Sequence, residues 1–176
     1  PMKGLIVFGM PGTGKSMAAK ADGGEGIGIV HVNFQDIMGS LVGESARNAR
    51  RLWELLRAIS PVVLWLDEIN HGMSDNSGRS DGGAKRGVLA TFLTEMQESE
   101  GVVVFGTANE IQGLDPAFMR RMNGVFYVDV PNAQERAEIW PIQLRKHKQD
   151  PANFDIGALI EASPLYTGAE IAKAIN

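Results

Sequence analysis

Eight residues near the start of the chain, residues 9–16, read Gly-Met-Pro-Gly-Thr-Gly-Lys-Ser. They fill every position of the pattern G-x-x-x-x-G-K-[ST], and they lie between an apolar run and the helical segment 17–21. The glycines let the backbone curl so that its N–H groups point inward, and the following helix adds its positive N-terminal end. The segment is therefore predicted to bind a chain of phosphates. A glycine-rich turn that happens to fit the pattern is the alternative, which the strand-to-helix context disfavours.

The phosphate loop indicates Mg²⁺-bound ATP as the ligand. Lys15 is predicted to reach the β- and γ-phosphates as a point charge, and the Ser16 hydroxyl to coordinate Mg²⁺. The predicted nucleotide-binding residues of this segment are Gly9, Pro11, Gly12, Thr13, Gly14, Lys15, Ser16 and Met17.

Two acidic residues, Asp67 and Glu68, follow the apolar run at residues 62–66. In an open parallel sheet, ligands bind at the carboxyl ends of the strands, so this pair is expected at the edge that carries the phosphate loop. Asp67 is then placed to hold Mg²⁺ through its water shell. Glu68 is placed to orient and deprotonate an attacking water. Solvated loop charges are the alternative, but an acidic pair combined with an intact phosphate loop favours catalysis.

Short apolar runs alternate with helical segments along the first three quarters of the chain. Helical periodicity at residues 44–59 and 84–97 implies right-handed crossovers between parallel strands. The predicted fold is an α/β P-loop NTPase, a three-layer α/β/α sandwich with a five-stranded parallel sheet. Residues 71–83, rich in Gly, Ser and Asp, are predicted to form a mobile loop. The predicted strands are residues 5–8, 29–33, 62–66, 102–107 and 125–130.

After Pro131 the pattern becomes helical throughout. We predict a large α/β subdomain at residues 1–131 and a small helical lid at residues 132–176, which ends unfinished. A chain that opens directly on a strand also suggests a domain cut from something longer. The cap signals of the lid helices are Asn132 with Glu135, Asp155, and Thr167 with Glu170.

Composition excludes several classes of protein. The chain has no cysteine, which rules out disulfides and thiolate chemistry, and its apolar runs are too short to cross a bilayer. A net charge of −4 argues against a large nucleic-acid footprint. No signal-peptide pattern opens the chain, so the expected location is cytoplasmic. His31, His71 and His147 show no metal-ligand spacing, and structural or solvent roles are expected for them.

Over nearly its whole length the sequence resembles a AAA ATPase module. The narrower resemblance is to a poorly characterised plastid and cyanobacterial-type group of that clade. The residues that carry the resemblance are GMPGTGKS at 9–16, SLVGESARNARRLWE at 40–54, VVLWLDEIN at 62–70, VVVFGTANE at 102–110, LDPAFMRRM at 114–122 and TGAEI at 167–171.

The resemblance implies further site residues. Asn109 would be the sensor that holds the water or the γ-phosphate, with a turn-forming asparagine as the alternative. Arg120 would be an arginine finger that reaches the γ-phosphate of a neighbouring subunit, and Arg121 a second finger; two surface arginines are the alternative. Gly168 and Ala169 would pack by the base and ribose. The expected catalytic residues are Lys15, Glu68, Asn109, Arg120 and Arg121.

The resemblance also implies a ring, a hexamer, that uses ATP hydrolysis to remodel a protein partner. Two departures weaken parts of this expectation. The family's Gly-Arg-Phe-Asp run is replaced by Met122-Asn123-Gly124, and Leu41 stands where many relatives place a pore aromatic. An ATP-gated scaffold or switch is therefore an alternative. A DNA-directed loader is disfavoured by the acidic net charge, and a small-molecule kinase would not explain Asn109 with the arginine pair.

Overall fold

A computed structural model describes residues 2–22, 26–38, 44–70 and 82–175 of the chain. Five strands form one parallel sheet with flanking helices, in the order β2-β3-β4-β1-β5. Each predicted strand is confirmed, with ends that shift by one or two residues, and so is the predicted α/β fold class. The strands are β1 (Gly4–Gly9), β2 (Gly28–Asn33), β3 (Val62–Asp67), β4 (Val102–Ala108) and β5 (Gly124–Val128).

The helices predicted at residues 17–21, 44–59 and 84–97 are present with small shifts at their ends, and two short helices, at residues 34–38 and 116–119, were not predicted. The fourth helix begins at Gly82, inside the predicted loop at residues 71–83, because packing of its apolar side outweighs the low helix propensity of glycine. The rest of that loop lies outside the described residues. The helices are α1 (Lys15–Asp22), α2 (Phe34–Met38), α3 (Glu44–Ala58), α4 (Gly82–Glu98), α5 (Pro116–Met119), α6 (Ala133–Lys146), α7 (Ile156–Ala162) and α8 (Gly168–Ala174).

One compact unit comprises Pro1–Phe8 and Ser16–Tyr127 and contains most of the sheet. Its core contains a group of aromatic side chains packed with aliphatic residues of the strands and helices. The Phe92 ring lies 5.2 Å from Trp53 and 5.7 Å from Phe34, centre to centre. All three side chains are fully buried, and burial of one such ring contributes about 2–3 kcal/mol. The same core includes Leu64 and Leu66 of β3 and Val104 of β4, so it packs against the strands that precede Asp67 and Asn109.

A second compact unit comprises Gly9–Lys15 and Val128–Asn176, so the phosphate loop groups with the C-terminal helices. Trp140 of α6 is buried and donates to the Ser163 hydroxyl at 3.1 Å. The predicted caps of α6, α7 and α8 are confirmed: two capping boxes and an aspartate cap, at Asn132, Thr167 and Asp155. The subdomain boundary predicted after Pro131 stays a prediction.

No helix in the described part of the chain is both long and apolar enough to cross a membrane.

Candidate active site

The carboxyl ends of β1, β3 and β4 lie at one edge of the sheet. Phe8 of β1 is paired with Ala108 of β4, and the residue before Asp67 is paired with Gly106 of β4. Asn109 directly follows Ala108. The parallel register thus brings Asp67 and Asn109 to the edge at which β1 ends, and the phosphate loop continues the chain from there.

The phosphate loop has the backbone shape that its glycines allow. Gly12 and Gly14 have φ values of +84° and +98°, a region that residues with a Cβ rarely adopt. A Cβ at Gly12 would stand 2.7 Å from the Ala169 Cβ and 2.9 Å from the Thr167 hydroxyl. A Cβ at Gly14 would meet no atom within 4 Å. The two glycines therefore share a backbone requirement, and only Gly12 also needs the space.

Lys15 closes the loop on itself. Its side chain is buried, and the ammonium donates to the carbonyl oxygens of Gly9 and Met10, both at 2.8 Å. The Thr13 hydroxyl donates to the same Met10 carbonyl at 2.9 Å. A buried positive charge thus lies inside a curled backbone, which is the arrangement that a phosphate chain requires. Pro11, Ser16 and Met17 are exposed beside it.

The first turn of α8 contacts the phosphate loop within the second unit. The Ala169 N–H donates to the Gly12 carbonyl at 3.2 Å. Thr167 precedes this turn as the cap: the Glu170 carboxylate accepts from the Thr167 N–H at 2.8 Å and from its hydroxyl at 2.9 Å. These two bonds, the backbone one first, hold the pKa of Glu170 below its ordinary value of 4.5. Gly168 and Ala169 thus lie against the loop.

The Asp67 carboxylate is half-buried at the end of β3, and its two oxygens have different surroundings. Oδ1 accepts from the Thr107 hydroxyl and from the Glu68 N–H, the latter at 3.2 Å. Oδ2 lies 3.6 Å from Nε2 of His31. The sequence analysis assigned no role to Thr107 and only a structural or solvent role to His31. Both residues belong to other strands, and only the strand register brings them to Asp67.

His31 is held in place by its neighbour on β3. Its ring stacks on Trp65 at 4.0 Å between centres, and the Lys20 ammonium lies 5.8 Å from the Trp65 ring. In the sequence, His31 lies two residues before the end of its predicted strand, and Trp65 lies two residues before Asp67. Only the pairing of His31 with Trp65 across β2 and β3 brings the two rings into contact.

Glu68 is exposed, and its backbone is left-handed, with φ of +51°. Such a conformation costs a residue with a Cβ about 1–3 kcal/mol, and it occurs disproportionately at functional sites. The Glu68 N–H donates to Asp67 Oδ1, so the peptide before this residue is held by the side chain of its neighbour. The strand β3 ends at Asp67, and Glu68 follows it outside the sheet.

The two arginines after α5 differ in their surroundings. Arg120 is exposed, whereas Arg121 is half-buried and donates from Nη1 to the Ala117 carbonyl at 3.0 Å. Asn123, at a departure from the family pattern, accepts from the Gly4 N–H at 3.1 Å and donates from its own N–H to Gly4 at 2.8 Å. Asn123, two residues after Arg121, thus hydrogen-bonds the segment that follows the arginines to the first residue of β1.

The side chains fit Mg²⁺ and a nucleotide. Ser16 and Asp67 offer hydroxyl and carboxylate oxygens, the hard donors that Mg²⁺ prefers. Within the described ranges no group of three or more His, Asp or Glu side chains could hold a metal, and Mg²⁺ needs none because it keeps waters and takes phosphate oxygens. The curled loop with its buried Lys15 fits the phosphates.

Comparison with known proteins identifies the family. The pattern of the ATPase family associated with various cellular activities (AAA) matches residues 5–130. The uncharacterized AAA domain-containing protein ycf46 of Pyropia yezoensis is 36% identical over 178 residues, which cover 98% of this chain and 36% of that protein. Its namesake in Trieres chinensis is 34% identical, with the same coverage of both chains.

A more distant relative extends the likeness. The cell division cycle protein 48 homolog of Archaeoglobus fulgidus is 33% identical over 178 residues, covering 97% of this chain and 24% of that protein. The chain thus spans little more than a third of the ycf46 proteins and about a quarter of this relative. The resemblance stated from the motifs, including its plastid-type branch, is confirmed. The chain belongs to the AAA family of ATPases.

Proposed function

We propose that this chain binds MgATP on residues 9–16 and hydrolyses it with the acidic pair at the end of β3. The observation that carries the proposal is the placement of Asp67 and Glu68 at the sheet edge from which the phosphate loop continues. Family membership supports ATP hydrolysis independently.

Each side chain has a distinct task in the proposed reaction. The backbone N–H groups of the loop and the Lys15 ammonium would hold the phosphates, and Ser16 and Asp67 would hold Mg²⁺. Bound Mg²⁺ would neutralise charge on the phosphate oxygens. Glu68 takes the proton of the attacking water as its oxygen bonds to the γ-phosphorus and the bond to ADP breaks, a contribution of about 10²–10⁴-fold. Asn109 orients that water.

The second part of the proposal is assembly into a ring, in which an arginine of one subunit acts at the nucleotide site of the next. Arg120 is exposed and is the residue we assign to the γ-phosphate of the next subunit. The guanidinium of Arg121 donates to the Ala117 carbonyl of the preceding helix α5, which supports an anchoring role over a second finger. Charge supplied only in the assembled transition state would make hydrolysis depend on oligomer formation.

Coupling to a protein client is the broadest part of the proposal. It rests on family membership alone. The hexamer and the protein client are likewise proposed only because the chain belongs to this family. Leu41, the pore-loop residue, lies outside the described residues. Substituting Leu41 separates a threading machine, which should lose client processing and keep its ATPase, from a nucleotide-gated switch, which should be indifferent.

The test is the ATPase rate as a function of protein concentration for the wild type, Arg120→Ala and Arg121→Ala. We expect specific activity that rises with concentration, and a loss of about 10³-fold or more in Arg120→Ala. Arg121→Ala is the matched control, one residue away with the same change of charge, and should retain more activity.

A rate independent of both concentration and Arg120 would contradict the shared site. Equal losses in the two arginine variants would contradict the division between finger and anchor. Sedimentation of each variant with nucleotide shows whether a lost rate reflects lost assembly.

A further inference from the structure

The Asp67 carboxylate is held by a neighbouring strand as well as by its own. Thr107 of β4 donates its hydroxyl proton to Asp67 Oδ1. The hydroxyl has a single proton, and the Leu66 carbonyl lies farther away at 3.4 Å, so the carboxylate is the acceptor that takes it. Hydrogen bonds to an ionised carboxylate are about twice as strong as those between neutral groups.

The position of Thr107 is itself rigid. Its side chain is 1% exposed, between the buried residues Gly106 and Ala108 on β4. The strand pairs with β3 up to Gly106, directly before it. A β-branched side chain also has few χ1 rotamers on a strand. Burial, strand pairing and the β-branch therefore constrain the position of the hydroxyl donor.

Thr107 therefore constrains the Asp67 carboxylate and, through it, the peptide that joins Asp67 to Glu68. With two donors on Oδ1, the carboxylate plane is fixed and Oδ2 becomes the oxygen for a metal or its water. The same Oδ1 accepts the Glu68 N–H, which restrains the peptide between Asp67 and Glu68, directly before the left-handed Glu68. His31 flanks Oδ2 at 3.6 Å, beyond hydrogen-bond distance, and so borders this oxygen without bonding to it.

We propose that Thr107 is a positioning residue of the site: its buried hydroxyl orients the Asp67 carboxylate for holding Mg²⁺ and, through Asp67, restrains the peptide that joins Asp67 to Glu68. The inference rests on the proposed function, because it assigns a role toward the metal of that same site. Groups that orient metal ligands typically change metal affinity by about 10- to 100-fold when removed.

The test is the binding of a fluorescent ATP analogue to the full chain as Mg²⁺ is titrated, which requires no turnover. In Thr107→Val, which keeps the shape of the side chain and removes the donor, we expect the half-saturating Mg²⁺ concentration to rise by about tenfold or more. Binding measured in EDTA should match the wild type. Thr107→Ser restores the hydroxyl and should restore the Mg²⁺ response.

Further variants keep the outcomes separable. Thr107→Ala removes the hydroxyl without a β-branch, so a shared defect with Thr107→Val cannot come from misfitting of valine. Asp67→Asn reports on the metal ligand itself. If Asp67→Asn loses the Mg²⁺ response and both hydroxyl-free variants titrate like the wild type, the role of Thr107 is wrong and the proposed function stands. A wild type without Mg²⁺-dependent binding would overturn both.

A merely structural role gives a different signature. It would lower the melting temperature of the Thr107 variants and leave the Mg²⁺ midpoint of the folded protein unchanged, and that result would also overturn the proposal.

Discussion

The phosphate loop and the acidic end of β3 are built in opposite ways. The loop is made by its backbone: Gly12 and Gly14 take positive φ values, and Lys15 bonds to carbonyls only five and six residues away. The strand end is made by side chains from different strands, since Thr107 reaches Asp67 across 40 positions of sequence. The first region is local, and the second exists only once the sheet has formed.

This difference determines what each region tolerates. The phosphate loop should lose nucleotide affinity when an added side chain disturbs its backbone conformation. A site assembled from neighbouring strands fails when a particular donor is lost, and it survives changes that preserve that donor. Substitutions in the loop should therefore weaken nucleotide binding with or without Mg²⁺, whereas loss of the Thr107 hydroxyl should weaken only the Mg²⁺-dependent part.

Gly12→Ala gives the largest effect that separates the two regions. The new Cβ would sit in a left-handed backbone and 2.7 Å from the Ala169 Cβ, so either the loop or α8 must move. The backbone strain alone is about 1–3 kcal/mol, and a loss of 1.4 kcal/mol is tenfold in affinity. We expect at least tenfold weaker nucleotide binding in EDTA and a lower melting temperature without nucleotide.

Gly14→Ala is the matched control for that prediction. It places a Cβ at a similarly positive φ of +98° with no atom within 4 Å. Its melting temperature without nucleotide should fall less than that of Gly12→Ala, and the difference measures the contact with α8. Equal melting temperatures in the two variants would show that α8 does not rest on Gly12.

Glu170→Gln gives the smallest effect and tests how α8 is held on the loop. The pKa of Glu170 lies below 4.5 because Thr167 donates to its ionised form, so its stabilising contribution is present above that pH. The contribution is lost as the pH falls through the lowered pKa. Glutamine still accepts in a capping box. We therefore expect the melting temperatures of wild type and variant to differ above pH 4.5 and to converge as the pH falls below it; a constant gap would contradict this.

The predictability of the site follows the same division. The phosphate loop, the strands and the caps of α6, α7 and α8 could be predicted from sequence because their signals lie within a few residues of one another, as with Asn132 and Glu135. The acidic pair was readable because a parallel sheet gathers strand ends at one edge. These features depend on local chemistry or on topology alone.

What sequence reasoning missed depends on register. His31 and Thr107 reach Asp67 only because β2 and β4 flank β3 at one particular offset, and a shift of one residue would send their side chains to the opposite face. The anchoring of Arg121 to Ala117 was hidden for another reason, since an arginine beside another arginine looks equally exposed in sequence.

The central claim is that the loop binds ATP while the strand end performs the chemistry, and Glu68→Gln tests it most directly. ATP binding and single-turnover hydrolysis would be measured on the same preparation of wild type and variant. We expect binding close to that of the wild type and hydrolysis slower by about 10²–10⁴-fold, the contribution of a general base. Hydrolysis at a near-wild-type rate would contradict the assignment of Glu68 and the division of labour built on it.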